Sequence, residues 1–283
     1  MLATTYQNAG DFLRKTQDFL EQDEGVNSLM LGVCLRMERF PERFRDASYF
    51  VTVEDQQRIV VAIAMMLPQK IIISGDRDDC DEAIAIVTHD LIARHWDLQS
   101  VRGPAHLAKA FAETWAKIVG RSCTIGMNLR AYSLIKVNHP RYNNGKLRVA
   151  TEANIELITR WLYEFEAEAL GSSDSAEVSE MAMRKVRDRD IYVWEDEQEQ
   201  PVCMAGKSRP TRNGITINAV YTPPNLRGKG YATSCVASLS QLLLDSGWKF
   251  CTLFTDLSNP TSNSIYQRIG YIPVCDFTEY VFE

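Results

Sequence analysis

The run Val220-Tyr-Thr-Pro-Pro-Asn-Leu-Arg-Gly-Lys-Gly-Tyr-Ala-Thr233 leaves the backbone few choices. An apolar, β-branched stretch, Ile215-Thr-Ile-Asn-Ala-Val-Tyr221, leads into it, and a helical pattern from Tyr231 to Asp245 leaves it. Two prolines end the ladder, and Gly228 and Gly230 accept angles closed to other residues. A glycine-rich turn that opens a helix presents unpaired N–H groups and the positive end of the helix dipole, so it favours an anion. Arg227 and Lys229 add charge-assisted contacts. The plainer alternative is a surface turn with solvated cations.

Two phosphate loops fail on their own requirements. A P-loop needs G-x-x-x-x-G-K-[ST], but Lys229 is followed by Gly230 and has no glycine five residues before it. A dinucleotide fingerprint needs a third glycine where Thr233 stands, and only about 50 residues remain beyond it, too few for a doubly wound domain.

Turn formers collect in Asn138-His-Pro-Arg-Tyr-Asn-Asn-Gly145, which reads as part of a linker over 138–146 between an N-terminal half (1–137) and a C-terminal half (147–283). The C-terminal half predicts a strand at 147–150, a helix capped by Thr151, a charged helix over 176–187, and a hairpin of 191–194 with 202–205. A third strand, 215–221, is entered through Asn213-Gly214, a two-residue turn signal. The helix to Asp245 should end in a left-handed cap at Gly247, followed by strand 250–254, a helix around 262–268 and a last strand over 271–282. The N-terminal half has a similar order: helices near 10–22 and 26–38, strands 49–53, 59–63 and 70–74, helices near 80–95 and 104–119, and a strand near 123–137. The fold class is therefore α/β with a mixed sheet.

The Arg227-x-x-Gly230-x-Ala232 spacing matches [QR]-x-x-G-x-[GA], the pyrophosphate signature of the GNAT superfamily of acyl-CoA-dependent N-acyltransferases. One strand downstream, Asn259-x-x-Ser-x-x-Ile-Tyr266-x-x-x-Gly270-Tyr271 resembles that superfamily's N-x-x-[AS]-x-x-[LI]-Y-x-x-x-G-[FY] stretch. The motifs cover about residues 216–273, and the element order carries the likeness back to about 147. The resemblance implies tandem GNAT-like domains, each with a central, mostly antiparallel sheet, a splayed strand pair and flanking helices. It also implies acetyl-CoA as cosubstrate and a primary amine as acceptor.

By the family pattern, Val220, Tyr221 and Thr222 would pair with the pantetheine chain, with the Val220 N–H facing the developing oxyanion. Arg227 would open the turn, and the amides of Gly228, Lys229, Gly230, Tyr231, Ala232 and Thr233 would cradle the pyrophosphate. Asn259 would contact the pantetheine arm, and Tyr266 would give a proton to the departing thiolate; a packing aromatic is the alternative for Tyr266. The strands carry no carboxylate where many members place their base. Glu166, Glu168, Asp256 and a water chain therefore stay open as the general base, with Asp256 also suited to capping a turn. The corresponding N-terminal junction, Ile73-Ser-Gly-Asp-Arg-Asp-Asp-Cys-Asp-Glu82, is acidic and would repel a pyrophosphate, so that half is expected to be degenerate. The reading from another class is an acyl-CoA-binding regulatory module without turnover.

A net charge of −6 argues against broad nucleic-acid binding. Seven cysteines lack C-x-x-C spacing, so no metal site is expected; three of the four histidines (His89, His95 and His106) read as helix-surface or boundary residues. No window reaches the length and apolarity of a membrane span, and the chain is expected to be cytoplasmic. A homodimer is compatible with the pattern.

Overall fold

Apolar runs without polar alternation predict strands covered on both faces. In the computed structural model, Arg58–Met66 (RIVVAIAMM) is such a strand, buried from Ile59 through Met65. The structure describes residues 1–44, 48–66, 68–75, 80–138, 143–171 and 175–283. The linker residues 139–142 and the acidic junction residues 76–79 lie outside these.

The described residues form two compact units. Unit 1 comprises Met1–Ala131 with Phe254–Ser258 and Pro273–Glu283; unit 2 comprises Tyr132–Leu253 with Asn259–Ile272.

In unit 1, β1 (Leu2–Tyr6), α1 (Ala9–Glu21) and α2 (Ser28–Arg39) precede the antiparallel strands β2 (Phe50–Asp55), β3 (Arg58–Met66) and β4 (Lys70–Gly75). Asn8 caps α1 by accepting from the Asp11 N–H at 2.9 Å. After α3 (Asp81–Ala93) comes β5 (Ser100–Pro104), parallel to β4, then α4 (Ala105–Val119) and the long strand β6 (Cys123–Leu134). Helices cover both faces: α3 and α4 bury Val87, Phe111 and Trp115 against one, and α1 and α2 bury Phe12, Leu31 and Cys34 against the other. The chain's last strand also belongs here, since Phe277–Val281 pair antiparallel with Ser100–Pro104.

Unit 2 starts its sheet with β7 (Lys146–Val149). A Thr151/Asn154 capping box then introduces α5 (Ile155–Leu170), followed by α6 (Ser175–Arg187). Strands β8 (Ile191–Glu195), β9 (Pro201–Ser208) and β10 (Gly214–Tyr221) form an antiparallel run with β7. α7 (Tyr231–Asp245) packs Val236, Leu239 and Leu243 on one sheet face, while α5 and α6 bury Ile158, Trp161 and Val178 on the other. β11 (Phe250–Asp256), α8 (Pro260–Ile269) and β12 (Ile272–Phe282) complete the chain.

Asn213-Gly214 is not the expected two-residue turn. The β9–β10 connection spans residues 209–213, and Gly214 already lies in β10, paired with Phe250. A Cβ there would sit 2.3 Å from the Phe250 ring, so the glycine serves close packing. Gly247 does adopt the left-handed form, with φ +102°.

Candidate functional site

The site grows from the far end of β10. This strand pairs in parallel with β11 at Gly214↔Phe250, Ile215↔Cys251 and Thr216↔Thr252; among the described pairs the ladder stops there, while β10 runs on to Tyr221. On its other side, Ala219 and Val220 together oppose Ala205, between the pairs Asn218↔Gly206 and Tyr221↔Met204. Ala219 takes φ +49°, so this is a bulge held in a left-handed backbone. Such a bulge re-aims the strand's end and frees main-chain groups at Val220. Among the described residues the Thr222 hydroxyl just beyond is buried without a hydrogen-bond partner.

A turn over Pro224–Leu226 then brings the chain to two left-handed glycines, Gly228 (φ +77°) and Gly230 (φ +80°). Gly230 is the N-cap of α7, no side chain caps that helix, and no acid occupies its first turn. Its first amides thus face outward, and the dipole is uncompensated. Asn143 braces the loop: its side-chain amide donates to the Lys229 carbonyl, and its backbone N–H donates to Ser234 Oγ at 2.9 Å.

Arg227, expected to open the turn, makes its own contacts within unit 2. Its Nε donates to the Thr222 carbonyl at 2.9 Å, fixing the turn, and its Nη2 lies 2.8 Å from both oxygens of Glu168 on α5. Its guanidinium also stands 5.6 Å from the centre of the Tyr221 ring. One turn back on α5, Glu164 accepts from the Tyr221 hydroxyl at 2.9 Å. Burial, followed by the Glu164 carboxylate, pushes the Tyr221 phenol up to about 12. Glu166 has its pKa raised first by burial and then by Glu177 on α6. Asp256 belongs to unit 1, where its carboxylate accepts from the Ser258 N–H at 2.7 Å as a turn cap does.

On α8, Asn259 is the N-cap, accepting from the Ser262 N–H at 3.0 Å. Tyr266 is 7% exposed, its ring centre 6.4 Å from that of Tyr132 and 6.0 Å from that of Tyr271. Burial, then nearby Cys203, moves its pKa above the ordinary phenol range. The hydrogen bond with Cys203 and then burial raise the Cys235 thiol, and burial pushes Cys251 up to about 12, which disfavours the thiolates a covalent relay through these two would need.

The FR47-like protein family model matches residues 199–281, which span β9 to β12 and contain the loop. A Drosophila protein superposes with a TM-score of 0.68 at 9% identity, over 99% of this chain and 97% of its own. A GNAT-family acetyltransferase from Colwellia psychrerythraea gives 0.60 at 9% identity, over all of both chains. The fold is that of the GNAT superfamily. A tandem GNAT protein from the clavulanic acid biosynthesis pathway matches as well, at TM-score 0.59 and 12% identity, over 99% of this chain and 98% of its own. No curated protein matches the sequence.

Within this GNAT fold the candidate residues Val220 to Thr233 stand together, and Asn259 and Tyr266 stand on the adjacent helix α8. The residues fit an acyl-CoA on three observations: the buried unpartnered Thr222 hydroxyl, the two left-handed glycines, and the bare α7 N-terminus. Sequence reading missed Glu164 and Asn143. The i,i+4 spacing of Glu164 and Glu168 was an available signal, because it sets both carboxylates on one face of α5. Asn143 had none, since its contact with Lys229 crosses 86 residues. Among the described residues there is no cluster of three metal-ligating side chains, and no helix is long and apolar enough to cross a membrane.

Proposed function

We propose that the chain is an N-acyltransferase that moves acetyl from acetyl-CoA to a primary amine by direct attack in a ternary complex. The observation that carries this reading is the junction of an interrupted β10–β11 ladder with a bare helix N-terminus behind two left-handed glycines. The amides from Gly228 to Thr233 bind the pyrophosphate, and the main chain freed at the Val220 bulge aligns the pantetheine arm and faces the oxyanion. The amine nitrogen forms a bond to the thioester carbonyl carbon, and the C–S bond breaks with its electron pair going to sulfur. The ammonium proton passes to a carboxylate or water. Glu164, half-buried and held by Tyr221, is the carboxylate best fixed for this. Tyr266 keeps its proton throughout the working range, because burial raises its pKa, and offers it to the sulfur.

The test is free-thiol release from acetyl-CoA across a panel of primary amines, with wild type beside Tyr266→Phe and Gly230→Glu. We expect amine-dependent release in the wild type, slowed by about 10²-fold in Tyr266→Phe. In Gly230→Glu, binding should be lost, as the substitution sets a carboxylate at the α7 N-terminus in a left-handed backbone. Acetyl-CoA binding without release for any amine would leave a binding module and refute the enzyme. Unchanged binding in Gly230→Glu would refute the loop assignment.

A further inference from the structure

Unit 2 holds a cavity at the end of α7 opposite the loop. It encloses about 370 Å³, within the size range of small-molecule sites. Its floor follows from strand register: Val149 pairs with Tyr192, which pairs with Ala205, and Lys207 lies two residues further on β9, on the same face. Leu243 and Trp248, from the end of α7 and the turn after it, form the opposite wall. The last carbonyls of α7 do not point bare into this space, because Leu242, Leu243 and Leu244 accept from the backbone N–H groups of Ser246, Gly247 and Trp248. Leu242 at the mouth is 42% exposed, an apolar side chain left to water.

Two cations, Arg189 and Lys207, line this cavity together with its aromatic and aliphatic walls. The Lys207 N–H donates to the Asp190 carbonyl at 2.8 Å, which ties this point of β9 to the residue after Arg189. The Lys207 ammonium stands 3.8 Å from the Asp190 carboxylate, a loose pair, and no ion pair among the described residues involves Arg189. The three side chains sum to one net positive charge. Arg189 is moreover held at φ +56°, where glycine would be unstrained.

We propose that this cavity binds a small carboxylate with a flat apolar body, its ring against Trp248 and Tyr192 and its carboxylate between Arg189 and Lys207. Charge complementarity sets the anion, the aromatic walls set the body, and the volume limits it to one or two rings. The site is independent of the loop reading, because the 15-residue helix α7 separates the two by about 22 Å.

Calorimetric titration of the full chain with indole-3-acetate and 4-phenylbutyrate, each beside its primary amide, tests this. We expect saturable binding of the carboxylates, with the amides weaker by about tenfold or more. Arg189→Gly removes the cation while relaxing the backbone, so it should keep the thermal midpoint and weaken carboxylate binding by about tenfold. Lys207→Gln should weaken it too, whereas Gly230→Glu at the far end of α7 should leave it unchanged. Three results would each overturn the assignment: no saturable binding, amides binding as well as carboxylates, or full binding in both Arg189→Gly and Lys207→Gln. Loss of carboxylate binding in Gly230→Glu would place it at the loop and overturn it equally.

Discussion

Replacing Glu168 by Gln should strengthen acetyl-CoA binding, although it removes a salt bridge. In the structure Glu168 holds Arg227 at 2.8 Å through both carboxylate oxygens, so a pyrophosphate at the loop competes with it for the guanidinium. The side chains of the pair are 47% and 48% exposed, and pairs so open to water are worth about 0.2–1 kcal/mol. That sets the gain in affinity at up to about fivefold when the competitor is removed. Fold stability should fall by no more than the same amount, about 1 kcal/mol, since the Arg227 Nε contact to the Thr222 carbonyl is untouched. Calorimetric titration with acetyl-CoA measures this directly, and the gain should shrink near 1 M salt, where the screening length is about 3 Å. Glu166→Gln is the control, since it makes the same charge change on α5 at a carboxylate under the influence of Glu177. Unchanged or weaker binding in Glu168→Gln, or an equal gain in Glu166→Gln, would refute the competition.

Stability should fall in alkali. Tyr49, Tyr266 and Tyr271 are buried, and their phenol pKa values are all raised above the ordinary 10. Their contribution is intact below pH 10 and is lost as pH climbs beyond it, because the unfolded chain releases protons the folded chain keeps. Urea midpoints measured on both sides of that pH should show the decline, and Tyr266→Phe should lessen its slope; a flat profile would contradict it. Gly214→Ala should destabilise unit 2 by about 1–3 kcal/mol, because the new methyl meets the Phe250 ring at 2.3 Å. Thermal denaturation checks this, and a neutral result would return Gly214 to the role of a turn residue.

Long elements with strong periodicity are legible in the sequence alone. Ile59–Met65, α4 and α7 declare themselves through unbroken apolar runs or helical spacing. Two short strands do not. Leu2–Tyr6 is mostly threonine and alanine, and Ser100–Pro104 ends in Gly-Pro, which reads as a turn. Gly103 is there because a Cβ would meet the Ile73 carbonyl at 2.6 Å, a tertiary fact that local sequence does not carry. Gly214 misleads for the same reason. At the site, the glycines and the bare helix start are visible because they are local backbone chemistry. The engagement of Arg227 by Glu168 is not, since it depends on where α5 lies in the folded unit. Nor can alternation alone say which strand a final strand pairs with.

That last strand has a consequence for the order of events in the cell. The partner that Ser100–Pro104 needs is Phe277–Val281, which leaves the ribosome only after the whole intervening segment Tyr132–Leu253 of unit 2 has been made. The segment that is made first therefore cannot finish the pairing of β5 until residues 277–281 have followed it. Vectorial folding, in which an N-terminal domain completes itself during translation, is closed to this topology. A nascent chain stalled before residue 277 presents β5 as an open edge, the kind of backbone that pairs with a neighbour's strand instead.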